Sequence, residues 1–509
     1  MIDEEDETPI KPWKKSERKS KKINGPFPEK AKITLDNMIY VEKSGLPSAM
    51  LNRILRIAAF QNPEFYKTQA MRLSTYGKPR IISCGEDFLN YVAIPRGCLR
   101  ELVDLFEEHS IKSEIMDERF SGKLIHVRFK GELRELQKEA TRELSKHDIG
   151  ILSATTAFGK TVVAAAMIAK RKTNTLILVH RKQLMDQWKE RLSMFLELAP
   201  KSMGEIGGGK SKATGIIDIA MMQSLHREGE VKPIVSEYGH VIIDECHHIS
   251  AFSFEQVLKQ VKAKYVLGLT ATPVRKDGHH PIITMQCGPI RFKVSPKQHQ
   301  QMTQFEHLVI PRHTKFSLPE MGQHSIQEIY SALVQNEQRN DLIFDDILQA
   351  LESKRSPLVL TERTEHLETF ENRLRKFVKH IFVLRGGMGK KQRVALMDEM
   401  AALPNSEERI ILSTGRYIGE GFDDSRLDTL FLVSPISWKG TLQQYVGRLH
   451  RSHEGKSIVQ VYDYVDQEVP MLRRMFLRRL RGYKAIGYSL HELPKDKPEE
   501  KEIQYEMEQ

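Results

Sequence analysis

Short apolar runs, each followed by a stretch with helical spacing, recur in two series along this 509-residue chain. The first series reads TLILVH, IDIAMM, HVIIDE and YVLGLT; the second reads PLVLTE, HIFVLRG, RIILST, TLFLVSP and SIVQVYDYV. A run that is apolar on both faces fits only inside a sheet covered by helices on either side, and sheets of that kind are parallel. The stretches between, among them RKQLMDQWKERLSMFL and FSFEQVLKQV, supply the covering helices. The pattern therefore predicts two tandem doubly wound α/β domains, over 129–300 and 325–467, with a polar connection at 301–324. The length agrees, since 509 residues are too many for one core.

The flanks differ in character. Residues 1–32 pass from an acidic cluster to a basic one with almost no apolar periodicity, which predicts a disordered charged tail. Over 33–128, KITLDNMIYVE alternates like a strand, RIISC and YVAIP read as short strands, and PSAMLNRILRIAAF and CLRELVDLFEEHSI have helical spacing. That predicts a small α+β accessory domain. Residues 468–509 hold a helix, VPMLRRMFLRRLRGYKAIGYSL, followed by an acidic tail. Met471, Leu472, Met475, Phe476 and Leu480 share one face of it, and Arg473, Arg474, Arg478, Arg479 and Arg481 lie elsewhere, on a solvated or a phosphate-contacting face.

Lys plus Arg outnumber Asp plus Glu by 78 to 67, a surplus that favours a polyanionic partner. Cys84, Cys98, Cys246 and Cys287 form no close pair, so neither a zinc site nor a disulfide framework is expected. No apolar run reaches the length of a membrane span and the N-terminus has no apolar signal core, so a cytoplasmic protein without a membrane partner is expected.

Two segments carry chemistry. In GILSATTAFGKT a strand meets a turn of small residues and then the helix TVVAAAMIAK. Such a turn lets the backbone N–H groups of Thr156, Ala157, Phe158 and Gly159 approach a phosphate at a helix N-terminus. Lys160 would then reach the outer phosphates and Thr161 would place its hydroxyl on Mg²⁺. Ala154 stands where such loops begin with glycine, which is tolerable if that position needs no positive φ. In HVIIDECHH, Asp244 and Glu245 end an apolar strand, placed for one carboxylate to hold Mg²⁺ and the other to orient a water. A competing metal site from Cys246, His247 and His248 is disfavoured, because three consecutive residues do not converge easily on one ion.

These segments resemble the superfamily 2 helicases and translocases, and the resemblance runs through most of the chain. ELRELQKEA is similar to the family's adenine-reading element, implying roles for Arg134 and Gln137. LVHRKQLMDQW and IDIAMMQSL resemble strand-contacting motifs, through His180 and Arg181 and through Gln223 and Ser224. GLTATPVR resembles the coupling motif, with Thr270 and Thr272. In the second half, LVLTER, VLRGGMGKKQR and ILSTGRYIGEGFD fall where the family contacts strand and nucleotide, implicating Thr361, Arg385, Gly386, Thr414, Gly421 and Asp423. QQYVGRLHR matches the Q-x-x-G-R-x-x-R pattern with Gln444, Arg448 and Arg451. An arginine supplied by a second domain neutralises charge on the transferred phosphoryl group and ties hydrolysis to domain closure.

What the resemblance implies is two RecA-like domains using ATP and Mg²⁺. The spelling DECHH, with LVHRKQLMDQW and TATPVRKDG, looks closest to XPB-like and UvsW-like DNA helicases and restriction-system motors, although Arg275-Lys276-Asp277 stands where XPB-like enzymes carry Arg-Glu-Asp. The expected function is an ATP-dependent DNA helicase or translocase acting on single-stranded, duplex or forked DNA. No nuclease constellation stands out, so any cutting would fall to a partner nuclease, as in a defence or repair system. An RNA helicase and a non-unwinding ATP switch that recruits a nuclease are the alternatives.

Overall fold

The computed structural model describes residues 25–155, 158–227, 229–246, 251–271, 280–294, 305–318, 324–415, 424–436, 445–451 and 455–491, with 23, 442 and 453. The expected N-terminal tail to residue 22, Arg275-Lys276-Asp277 and the acidic C-terminal tail lie outside them. Contacts divide the chain into one unit ending at Glu118 and a second beginning at Arg119.

In the first unit, KITLDNMIYVE is two strands rather than one: β1 (Lys30–Leu35) and β2 (Ile39–Glu42) pair antiparallel. The polar Asp36-Asn37 step between them favours a turn, closed where Asp36 N–H donates to the Met38 carbonyl at 2.9 Å. With β3 (Glu86–Asp87), β4 (Tyr91–Ile94) and β5 (Lys112–Asp117) they form a sheet ordered β3-β4-β2-β1-β5. Ile33, Val41, Val92 and Ile94 are buried, as are Met50 and Ile54 of α1 (Ser48–Ile57) and Leu102 and Phe106 of α2 (Leu99–Glu108). This is a small α+β fold.

The segment 119–128, grouped by its sequence with that domain, joins the following lobe instead. Phe120 exchanges backbone hydrogen bonds with Lys262 and Lys264, Ile125 N–H donates to Lys172, and Arg119 pairs with Asp148 at 2.8 Å. Ile125 and Val127 belong to that lobe's core.

The first lobe contains α3 (Glu135–Ser145), β6 (Ile149–Ser153), α4 (Lys160–Arg171), β7 (Thr175–Val179), α5 (Lys182–Phe195), β8 (Met203–Gly207), β9 (Lys210–Lys212), β10 (Ile217–Met221), β11 (His240–Ile243), β12 (Tyr265–Thr270) and β13 (Ile290–Lys293). Its sheet runs β9-β8-β10-β7-β11-β12-β6-β13, parallel except for the edge strand β9. All five β7 residues are buried, as a strand covered on both faces requires.

The second lobe contains β14 (Glu306–His313), α6 (Glu337–Glu352), β15 (Pro357–Thr361), α7 (Thr364–Leu374), β16 (Ile381–Leu384), β17 (Ile410–Thr414), β18 (Thr429–Leu432), β19 (Ile458–Val465), α8 (Pro470–Ala485) and β20 (Ser489–Leu490). Its seven described strands are all parallel, ordered β16-β17-β15-β18-β19-β14-β20. Alternate residues serve opposite faces: Leu358, Leu360, Leu430 and Leu432 pack in one core, Val359 and Phe431 in the other. The expected connection 301–324 therefore contains a sheet strand, β14, whose apolar centre Leu308-Val309-Ile310 is framed by polar residues that masked it in the sequence. Likewise α8 and β20 belong to this lobe, beyond the expected limit at 467.

Candidate active site

The parallel register brings three chain segments to one edge of the first sheet. Thr270 pairs with Ser153, and Ile243 pairs with Gly268, so β6, β11 and β12 end together. Ala154 N–H donates to the Thr270 carbonyl at 3.0 Å, Asp244 N–H to Leu178 at 3.0 Å and Cys246 N–H to Leu269 at 3.1 Å. The carboxyl edge of such a sheet is where doubly wound folds place their ligands.

From β6 the chain passes through buried Ala154, Thr155 and Phe158 into α4. Gly159 is the N-cap, at φ +91°, a left-handed conformation that glycine adopts without strain. A Cβ there would stand 2.5 Å from Gln137 Nε2. Ala154 is not among the residues with positive φ, so alanine at the head of the loop is no obstacle.

Lys160 opens α4 and reaches across the loop. Its Nζ lies 3.2 Å from the Ala154 carbonyl and 3.3 Å from Glu245 Oε1. Thr161 follows in the first helical turn, half-buried. Glu245 Oε2 accepts from Ala271 N–H at 3.4 Å, and its backbone sits at φ +44°, a conformation a glutamate adopts only where surrounding contacts hold it. Asp244 is buried; Trp188 Nε1–H donates to its Oδ2 at 2.7 Å and Glu245 N–H to its Oδ1 at 3.0 Å. Burial, then the neighbouring Glu245 carboxylate, raises the Asp244 carboxyl to about 6, against the opposing pull of Trp188, Lys160 and His180. Two adjacent carboxylates at the strand end, one of them 3.3 Å from the Lys160 ammonium, are hard oxygen donors that fit a divalent cation brought by a nucleotide.

Gln137 is buried on α3, below the loop. Its Nε2 donates to the Phe158 carbonyl at 2.7 Å and its Oε1 accepts from Arg134 N–H at 3.0 Å. It thus braces the loop directly, a contact its sequence position did not reveal. Trp188 was also missed: in the sequence it is one apolar residue of the amphipathic α5, and its partner lies 56 positions away.

Further along the same edge, His180 and exposed Arg181 follow β7, and Gln223 and Ser224 follow β10. Gln223 Nε2–H donates to the His180 carbonyl at 3.0 Å, which links the two segments.

In the second lobe, Arg385 and exposed Gly386 follow β16, with Arg385 paired to Glu368, and Thr414 ends β17 half-buried. Thr361, expected to face a strand, is buried with its hydroxyl 2.9 Å from Ser434 Oγ, so its side chain points into the lobe. Arg448 lies in the turn 447–450, which follows helical residues 445–446, and Arg451 lies in the bend just after it. Lys456 fastens that segment: its ammonium, with three N–H donors shared among four acceptors, lies 2.6 Å from the carbonyls of Ser425 and Leu427, 2.8 Å from Arg451 and 3.1 Å from Leu449. The His450 ring lies 4.6 Å from that of His307, tilted by 57°, and bonds the Tyr488 hydroxyl at 2.9 Å. Thr156, Ala157, Thr272, Gly421, Asp423 and Gln444 lie outside the described residues, as do His247 and His248. Among the described residues no group of three His, Cys, Asp or Glu side chains could hold a metal alone, all four cysteines are buried thiols, and no helix is long and apolar enough to cross a membrane.

Comparison with known proteins bears on the fold and the family. Residues 130–275 match the family model described as "Type III restriction enzyme, res subunit", and 336–453 match "Helicase conserved C-terminal domain". The chain is 27% identical over 377 residues to the helicase-named 161L protein of Invertebrate iridescent virus 6, covering 71% of this chain and 83% of that one. It is 35% identical over 172 residues to the DNA 3'-5' translocase XPB2 of Sulfurisphaera tokodaii, covering 34% of this chain and 38% of that one. In fold it is similar to a fragment of an HsdR subunit of a type I restriction enzyme from Vibrio vulnificus YJ016, with TM-score 0.53, 19% identity, and coverage of 72% and 69%. Paired helicase domains of this kind imply ATP use and nucleic-acid binding. The chain belongs to the superfamily 2 helicases, as a nucleic-acid-dependent ATPase related to XPB-type translocases and restriction-enzyme motor subunits.

Proposed function

We propose that the chain is a DNA motor, in which ATP hydrolysis drives movement on or remodelling of single-stranded, duplex or forked DNA. The observation that carries the reading is the meeting of Lys160, Asp244 and Glu245 at one sheet edge, with Lys160 3.3 Å from Glu245. In this reading Lys160 and the loop N–H groups of residues 156–159 hold the phosphates, and Arg134 and Gln137 border the base. Thr161 and Asp244 would hold Mg²⁺, which supplies charge neutralisation at the phosphates. Glu245 orients the attacking water, and Gln444, Arg448, Arg451, Gly421 and Asp423 complete the nucleotide site from the second lobe. Thr270 and Thr272 link hydrolysis to the strand, which runs over His180, Arg181, Gln223, Ser224, Arg385, Gly386 and Thr414. Thr361 serves as framework beneath that path. The similarity to the DNA 3'-5' translocase of Sulfurisphaera tokodaii favours DNA over RNA. The relation to restriction motors supports a partner chain as the source of any nuclease activity.

The test is steady-state ATP hydrolysis with single-stranded, duplex and forked DNA and with RNA, beside a Lys160→Ala control. Stimulation by DNA, lost by a factor on the order of 10² or more in the control, is the expected result. Hydrolysis undiminished in Lys160→Ala refutes the site, and stimulation by RNA alone refutes the choice of DNA.

A further inference from the structure

The closing helix α8 has two unlike faces. Leu472 and Met475 pack with Phe316, Ile329 and Leu333, while Tyr483 enters the core beside Leu442 and Leu449. Arg479, which its sequence placed on the solvated side, is buried. Its guanidinium grips Asp463 at 2.8 and 2.7 Å and donates to the Ile436 carbonyl at 2.9 Å. At about 100° per residue, Arg473, Arg474, Arg478, Arg481 and Lys484 fall within an arc of about 140° on the opposite side. All five are exposed.

What separates this face from an ordinary solvated one is the lack of counter-charge among the described residues. Other surface helices pair their cations within the helix or just past its end: Arg100 with Asp104, Lys138 with Glu135, Lys146 with Glu143, Arg375 with Glu371. Helix α8 contains no acidic residue, and among the described residues no ion pair involves any of its five exposed cations. Five like charges on one helix, with no ion-pair partner among the described residues, repel one another, and a polyanion relieves that repulsion. The stripe is about 17 Å long, enough to reach more than one phosphate of a strand.

We infer that the face formed by Arg473, Arg474, Arg478, Arg481 and Lys484 is a docking surface for the phosphate backbone of nucleic acid, additional to the strand path along the sheet edges. This rests on the chain being a nucleic-acid motor, and it does not depend on whether the strand is DNA or RNA.

The experiment compares the full chain with Arg474→Gln/Arg478→Gln/Arg481→Gln and with the matching triple lysine variant. Binding of fluorescent duplex DNA, single-stranded DNA and single-stranded RNA is titrated between 50 and 200 mM salt, beside thermal unfolding and unstimulated ATP hydrolysis. Each phosphate contact contributes about 0.9 to the slope of log affinity against log salt on duplex and about 0.7 on single strands. The glutamine variant should therefore lose about 2 to 3 from the slope and bind at least tenfold more weakly at 50 mM salt. Its unfolding temperature and unstimulated hydrolysis should match the parent, and the lysine variant should recover the slope. An unchanged slope in a folded glutamine variant overturns the inference and leaves the face to solvent or to an acidic protein. A loss that lysine fails to rescue also overturns it. If RNA alone binds, the preference for DNA fails, while a reduced slope on RNA still supports this surface.

Discussion

Trp188 matters through a single atom. Its ring lies in the core of the first lobe, yet its Nε1–H is aimed at Asp244, 2.7 Å away. Trp188→Phe keeps most of the apolar contact and removes that donor. A buried hydrogen bond to a charged group is worth about 1.5–3 kcal/mol, so kcat for ATP hydrolysis should fall about 10- to 100-fold with KM for ATP little changed. A loss below about twofold, against the tenfold per 1.4 kcal/mol expected, would mean that Asp244 is oriented without it. Residues of this kind also show where a sequence stops being legible. Lys160, Asp244 and Glu245 could be singled out because their neighbours in the chain spell a loop and a strand end. Trp188 could not, because hydrogen-bond partners 56 residues apart leave no local pattern.

At the scale of elements, two basic residues fasten the second lobe. Lys456 gathers four carbonyls from two segments, Ser425–Leu427 and Leu449–Arg451. Lys456→Met leaves those carbonyls facing one another and frees the segment that carries Arg448 and Arg451. The expected outcome is a kcat at least tenfold lower, about 1.4 kcal/mol, with KM for ATP nearly unchanged. Lys456→Arg should recover part of it, since a planar fork cannot converge on the same four oxygens. A rise in KM at unchanged kcat would assign Lys456 to nucleotide binding instead. Arg479 plays the corresponding part for α8. Arg479→Met leaves the Asp463 carboxylate buried with the Tyr483 hydroxyl as its remaining side-chain donor among the described residues. Breaking a buried pair from one side costs about 3–5 kcal/mol, readable as a shift in urea unfolding, and Asp463→Asn in the same chain should restore part of it. Equal stability of the single variant and the parent would show that the pair contributes nothing. The elements themselves were partly legible: the buried strands appeared as apolar runs, whereas β14 was hidden by its polar frame and the β1–β2 turn inside an alternating pattern.

At the scale of the whole molecule, each lobe buries a neutral histidine. Burial, helped by Arg171, holds His240 well below its ordinary value, and burial with Arg339 lowers His366 to about 3. Because the folded values lie below the unfolded value of about 6.5, the unfolded chain binds the extra protons as pH falls below that point. Stability from these groups is therefore complete above pH ~6.5 and declines below it, by up to about 1.4 kcal/mol per pH unit for each histidine. Urea midpoints at pH 7.5, 6.5 and 5.5 should show the decline setting in between the last two; a midpoint at pH 5.5 equal to that at 6.5 would exclude it. The sequence by itself determined the class of the fold and singled out Lys160, Asp244 and Glu245, which meet at one sheet edge, because burial on both faces and a small-residue turn before a helix each impose a pattern on consecutive residues. The tertiary structure alone decided that 119–128 joins the first lobe, that Thr361 turns inward, and that Arg479 is an anchor while its neighbours on α8 stay exposed. Those outcomes depend on which distant carbonyl or carboxylate comes within hydrogen-bond reach, and a parallel sheet sets such distances between residues far apart in the chain.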